Sequence, residues 1–408
     1  MKHPIVPAQN LAAEAGVVPS MPAGAAPIQP WPGSLVTLDA GEVFVRSTPA
    51  LPGAEPALFV HGLGGSALNW TDIMDLLSRP ADGQQASGPP LAAEALDLPG
   101  FGYSPPPADN DYSLDARAAA VISLIEKRGN WPVHLIGNSL GGAISTRVAA
   151  RRPDLVRTLT LISPALPDLR PRLLPARLAL VTMPGVGRWL LTKMLDMTPE
   201  QRTEASVAEL YADPGRLAPE RRAEAVAEVQ RRDGLDYSVD ALLGSARALV
   251  AEYARPGPAS LWHDATLVTA PTLLIHGSHD RLVNPAMAGR AARTFRNCRA
   301  VVLPRIGHVA MMERPDLVAA EMREFLRGVA RDQVAQPGPA NAAAVRRAPG
   351  QSAAGQSAAG QSAAGQPAAR RAIKRGAIRR GVTRRGAERA GAPGWALGLR
   401  GALSRVSR

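Results

Sequence analysis

Between residues 35 and 332, short β-branched or apolar runs alternate with longer amphipathic stretches, and few architectures accommodate that alternation. It is the pattern of a mostly parallel sheet with helices on both faces, because parallel neighbours need a crossover long enough to carry the chain back. Strands are predicted at Leu35 to Asp39, Val43 to Arg46, Ala57 to His61, Ala93 to Asp97, Val133 to Gly137, Val156 to Ser163, Thr272 to Gly277 and Ala300 to Leu303, eight in all. Helices are predicted at Ser66 to Leu77, Ser113 to Arg128, Leu140 to Arg152, Pro285 to Phe295 and Arg314 to Arg331. Ser66 and Ser113 suit N-caps, and Pro285 and Pro315 sit near helix starts, where a missing N–H does no harm. From Ala165 to about Trp262 the strand signal gives way to helical ones, with openings at Thr198-Pro199-Glu200 and Ala218-Pro219-Glu220. This is a helical insertion between two strands. Its apolar segment from Leu173 to Met197 reads at helical spacing as core packing for most of its members, and a lid over an apolar substrate would use part of the same surface.

The two ends differ from this middle. Residues 1–34 are rich in Ala and Pro and lack a basic start followed by an apolar run, so a flexible arm is expected rather than a secretory signal. Residues 333–408 carry 14 Arg and Lys against one acid, Glu388, so this tail holds +13 and the remainder of the +12 chain is close to neutral. Gln-Ser-Ala-Ala-Gly recurs at 351, 356 and 361, and the period of five continues to Arg370, Arg375, Arg380 and Arg385. With so few large apolar side chains the tail is expected to be disordered. Its clustered Arg could meet anionic lipid or nucleic acid weakly, although 43 Arg to 4 Lys in the whole chain fits GC-rich coding better than selection for phosphate contacts. The expected organisation is therefore an arm (1–34), an α/β core in two pieces (35–164 and 263–332), a helical cap (165–262) and the tail (333–408).

Some chemistries are disfavoured at once. One cysteine, Cys298, supplies neither a disulfide nor a thiolate cage, and none of the seven histidines has a metal-binding spacing, so no cofactor or metal is implied. No stretch reaches 18 uninterrupted apolar residues, so no membrane span is expected and a cytoplasmic location is.

The most informative residues are Gly137-Asn138-Ser139-Leu140-Gly141-Gly142, between a strand and a helix. A serine on so sharp a turn is exposed for attack, and small residues two before and two after let the strand and helix backbones pass. The helix that follows aims its first amides, starting at Leu140, where negative charge develops on a substrate oxygen. Upstream, His61-Gly62-Leu63-Gly64-Gly65 follows a strand, and Leu63 N–H is the candidate second oxyanion donor. Downstream, Asp280 and His308 each lie just beyond a strand, which completes the chain order serine, acid, histidine.

On these residues, with Asp97-Leu98-Pro99-Gly100-Phe101-Gly102-Tyr103-Ser104 and Glu313-Arg314-Pro315, the span 35–332 resembles the α/β-hydrolase fold family, in the branch with a helical cap after the sixth strand. The resemblance implies Ser139 as nucleophile, His308 as base and Asp280 as its acid partner. The expected activity is cleavage of a carboxylic ester of an apolar small molecule through an acyl-enzyme. Asn138 before the nucleophile resembles the carbon–carbon bond hydrolases of ring-cleavage pathways, although Val309 stands where those relatives often carry Trp. That activity on diketones is the alternative, a cofactor-free perhydrolase is a third, and a catalytically silent binding protein is the reading from another class. Asp168 is a rival acid, Asp97 a structural turn residue, His134 a satisfied strand histidine, His279 a surface loop residue, and Cys298 a buried small residue. Oligomeric state is left open.

Overall fold

A computed structural model of the chain describes residues 6–7, 28–80, 89–168, 182–183 and 185–335. The chain divides into two units, Met1–Arg347 and Ala348–Arg408, and every described residue lies in the first. Of the tail, all but its first three residues lie outside the described ones, and so does the 169–181 part of the apolar cap segment.

The eight expected strands are present: β2 (Gly33–Leu38), β3 (Gly41–Ser47), β4 (Glu55–Val60), β5 (Leu91–Leu96), β6 (Val133–Asn138), β7 (Val156–Ile162), β8 (Thr272–Gly277) and β9 (Cys298–Leu303). A ninth, β1 (Val6–Pro7), pairs in parallel with Val301 and Val302 at the edge of β9. The segment assigned to a flexible arm over 1–34 therefore includes two short stretches of the sheet, β1 and the start of β2. Two residues, one of them proline, leave no periodicity to read. The order is β1-β9-β8-β7-β6-β4-β5-β3-β2, antiparallel at β2/β3 and β3/β5 and parallel elsewhere.

Every residue of β6 and β8 is buried, as a strand covered on both faces requires. One face packs against α2 (Leu114–Arg128), α3 (Leu140–Arg151), α8 (Leu261–Leu267) and α9 (Met287–Thr294), through side chains such as Leu124, Ile144, Leu261 and Ala291. The other packs against α1 (Thr71–Ser78) and α11 (Pro315–Ala335), through Ile73, Met74, Val318 and Met322. The sequence signals act locally as expected. Ser113 Oγ accepts the Ala116 N–H at 3.1 Å to open α2, and Gly129, at φ 68°, closes it. Ser66 opens a 3₁₀ turn, Ala67–Trp70, ahead of α1 instead of one continuous helix. α11 runs to Ala335, three residues past the expected end of the core.

In the cap, α5 (Pro199–Leu210) follows α4 (Val186–Leu195), and α6 (Pro219–Asp233) and α7 (Ser238–Glu252) come next. Thr198 caps α5 in a reciprocal box with Gln201, and α6 opens at Ala218-Pro219-Glu220. The expectation that the Met-containing segment is mostly core is overturned for its described side chains. Met183, Trp189, Met194, Leu195 and Met197 are all exposed, Trp189 at 61%. α4 packs against α7.

The cap sits on the core through arginines. Arg221 of α6 reaches Asp72 of α1, Arg232 donates to Gly64 O at 2.8 Å, and Arg231 donates to Gly102 O while its guanidinium stacks 4.4 Å from the Tyr103 ring centre. Arg147 of α3 is buried within a ring of acids. It donates to Glu252 at 2.9 and 3.1 Å, to Asp264 of α8 at 2.9 Å and to Asp115 of α2 at 3.1 Å.

Candidate active site

β6 brings Ser139 to the carboxyl edge of the sheet. Its backbone is held at φ 52°, ψ −117°, a conformation that L residues adopt only under constraint. The Ser139 N–H donates to Ile162 O at 3.1 Å, and Ser139 O accepts from Ala143 N and Ala165 N at 3.1 and 2.9 Å. The glycines are steric necessities. A Cβ on Gly137 would lie 2.4 Å from Gly141 O, and one on Gly141 would lie 2.1 Å from Val60 O. Helix α3 therefore starts against the end of β4, with Leu140 as its first residue.

Asp280 and His308 meet across the ends of β8 and β9. His308 Nδ1–H donates to Asp280 Oδ2 at 2.9 Å, and Asp280 Oδ1 accepts the N–H groups of Leu282 and Val283 at 2.8 and 2.9 Å. An ionised carboxylate only accepts, so this pairing assigns the proton of the neutral ring to Nδ1 and leaves Nε2 as the basic nitrogen. Burial alone would raise the Asp280 carboxyl. The facing His308, the Val283 N–H and His276 outweigh burial and bring it down to about 2. Asn138 Nδ2, beside Ser139, donates to Ile162 O at 3.0 Å and to His308 O at 3.4 Å, which links the serine turn to the histidine loop.

The glycine-rich loop after β4 closes the third side. A Cβ on Gly62 would lie 3.2 Å from Ser139 Cβ, so the loop rests against the serine turn. His61 is buried, accepts Leu98 N–H on Nε2 at 2.9 Å and donates Nδ1–H to Gly62 O at 2.7 Å. Gly65 N–H donates to the same carbonyl at 3.1 Å. In a trans peptide N–H and C=O point in opposite directions, so these two donors also fix where the Leu63 N–H points. The sequence singled out Leu63, but the part His61 plays in orienting its amide depends on a contact with Leu98 that no local pattern encodes.

The remaining candidates lie apart from this cluster. Asp97 is buried and accepts Ala67 N–H at 2.6 Å and Tyr103 N–H at 2.8 Å, which makes it a loop anchor, as expected. Burial, against those two bonds, lifts it to about 6. Asp168 accepts from Asn284 Nδ2 at 3.2 Å, while the partner of His308 is Asp280. His134 is satisfied by Thr158 and Glu55, His279 is exposed beside Ser278, and burial pushes the Cys298 thiol up to about 12. Among the described residues no group of three or more His, Cys, Asp or Glu could hold a metal ion, and no helix is long and apolar enough to cross a membrane. Sequence reasoning passed over His276, a buried histidine four residues before Asp280.

The buried histidines set a pH dependence of stability. Burial pushes His61 down to about 3 and His276 to about 4, against an ordinary value of 6.5. Below pH 6.5 the unfolded chain takes up protons that the folded one refuses, so both groups remove stability as pH falls towards 4. Asp97, raised to about 6 from 3.8, works in the opposite direction between those values. Among these three, two oppose one, a contribution of about one proton taken up on unfolding, or roughly 1.4 kcal/mol per pH unit, of which the carboxyls of Asp75 and Glu321, also raised by burial, offset part. The urea midpoint is therefore expected to be lower at pH 5 than at pH 7, and equal midpoints would contradict this balance.

A family model described as alpha/beta hydrolase fold matches residues 56–315. Over 285 residues the chain is 30% identical to the dihydrolipoyllysine-residue acetyltransferase component of the acetoin cleaving system of Pseudomonas putida, covering 67% of this chain. It spans only 64% of that relative's length. It is 24% identical to Lipase 1 of Psychrobacter immobilis, over 71% of this chain and 82% of the lipase. Among solved structures, wild-type Cfl2 from Burkholderia cenocepacia matches with a TM-score of 0.60 at 21% identity, over 73% of this chain and 97% of that one.

Proposed function

The chain belongs to the α/β-hydrolase fold family, and on that premise we propose that it is a serine hydrolase cleaving a carboxylic ester of an apolar small molecule. One observation carries the reading. A serine held at positive φ on the strand-to-helix turn shares a strand-end cluster with a histidine whose Nδ1–H is engaged by a buried carboxylate.

His308 Nε2 takes the proton of Ser139 Oγ as the oxygen attacks the ester carbonyl, and the carbonyl electron pair moves onto its oxygen. The Leu63 and Leu140 N–H groups stabilise that oxyanion, and Asp280 stabilises the imidazolium. The intermediate collapses by expelling the alkoxide, which takes the proton from His308 and leaves Ser139 acylated. Water, deprotonated by His308, then attacks the acyl carbon, and the carboxylic acid leaves with Ser139 Oγ reprotonated. No step calls for a cofactor. The exposed apolar side chains of the cap support an apolar substrate, and a cytoplasmic site of action is part of the same proposal.

The test is a panel of p-nitrophenyl esters of increasing acyl length alongside a ring-cleavage dienone substrate. Hydrolysis of an ester at a kcat/KM far above that of the dienone is the expected result. The reverse order would move the assignment to carbon–carbon bond cleavage, which the Asn138 contact with the His308 carbonyl would then serve. A well-folded chain inert to the whole panel would favour a binding protein.

A further inference from the structure

We infer that Glu313 is a positioning residue that couples the seating of the cap to the posture of His308. The inference rests on reading His308 as the base. Glu313 ends α10 (Ala310–Glu313), five residues after His308, and its carboxylate is fully buried. Oε2 accepts the Gly307 N–H at 2.7 Å and the Ala212 N–H at 3.0 Å. Oε1 accepts the Asp213 N–H at 3.2 Å and Arg216 Nη1–H at 2.7 Å. One carboxylate thus gathers three backbone N–H groups and a guanidinium from two segments about a hundred residues apart in sequence.

The two segments are in direct contact. His308 N–H donates to Leu210 O at 2.7 Å, and a Cβ on Gly307 would lie 2.3 Å from Leu210 O and 2.6 Å from Ala212 N. Arg216 also donates to Arg305 O at 2.9 Å. The loop segment that leaves α5, a strap over 210–216, is therefore the surface against which the histidine loop is moulded. Asp280 orients the imidazole ring from the side, and the strap fixes the backbone from which the ring projects. Without the carboxylate, the N–H groups of buried Gly307, half-buried Ala212 and exposed Asp213 lose their acceptor at once, and the cost is largest at Gly307. Lifting the strap takes away the acceptor of the His308 amide as well. His308 holds its working posture only while the strap is seated, so the cap reports its position to the base.

The experiment compares the full chain with Glu313→Gln, Glu313→Asp and Arg216→Met. Gln keeps the volume but turns an amide NH₂ towards N–H donors. The rate at which a fluorophosphonate labels Ser139 is expected to fall about 10- to 100-fold in Glu313→Gln, and ester turnover should fall in kcat more than it changes in KM, as with a displaced catalytic group. Asp, one methylene shorter, should recover part of the loss. The His308 Nδ1 proton resonance should broaden or vanish in Glu313→Gln, and amide exchange at Gly307, Ala212 and Asp213 should accelerate. A merely structural glutamate would lower the melting temperature and leave the labelling rate well below melting unchanged, and that result would overturn the inference. If Glu313→Gln does not fold, Arg216→Met decides, because it removes one partner from a half-exposed position. Slower labelling supports the coupling, and parental labelling overturns it. If the parent chain takes no adduct, the serine-hydrolase reading fails, and the imidazole resonance and amide exchange, which need no reactive serine, still decide whether Glu313 sets the posture of His308.

Discussion

Ser139→Ala is expected to abolish adduct formation with a fluorophosphonate and to lower ester hydrolysis by roughly 10⁴- to 10⁶-fold, leaving only what oriented binding and oxyanion donors supply. The structure separates this loss from misfolding. Alanine keeps the Cβ, so the packing of Gly62 against residue 139 is unchanged, and the strained backbone is held by the Ile162, Ala143 and Ala165 bonds rather than by the side chain. The melting temperature should therefore stay within a few degrees of the parent. Intact mass before and after the probe, on both proteins, checks the chemistry. A single adduct on the parent and none on the variant is the expected pair. Full hydrolysis by a folded Ser139→Ala would remove the acyl-enzyme scheme outright.

Arg147→Met should produce the largest loss of stability among changes away from the serine. The guanidinium, 1% exposed, is the cation shared by Glu252, Asp264 and Asp115. The Glu252 side chain is 2% exposed, and its other ion-pair partner is Arg255 at 3.3 Å. A buried ion pair as a whole contributes little net stability, but removing one partner strands the other charge, at about 3–5 kcal/mol. That is a large fraction of the 5–15 kcal/mol typical of a folded domain. Urea unfolding followed by tryptophan fluorescence measures it. Combining Arg147→Met with Glu252→Gln and Asp264→Asn should recover much of the loss, because the stranded charges go too. An unchanged midpoint in the single variant would mean that solvent or Arg255 already carries the neutralisation.

Much of this molecule could be read from the chain. The strands are legible because a strand buried on both faces must be a short, mostly apolar run, as Val133–Ile136 is apart from His134 and Thr272–Ile275 is after Thr272. The serine turn is legible because its geometry leaves no room for a Cβ at Gly137 or Gly141. Glu313 is different. Its partners at 212, 213 and 216 are fixed by how the cap lies on the core, and neither segment alone carries a pattern that names the other. The cap's exposed Trp189 and Met194 misled for a related reason. Helical spacing shows which residues share a face but not whether anything covers that face.

The short pairing of Val6–Pro7 with β9 affects how copies of this protein can associate. A parallel sheet ends in a row of unused donors and acceptors, which another chain could extend into a continuous ladder. Here the outermost strand is two residues long, and one of them is a proline with no N–H to offer. An incoming strand would find Val301 and Val302 already paired and, beyond them, a ladder too short and too poor in donors to continue. At that margin a strand of two residues with a single N–H is a poor template for edge-to-edge pairing of copies.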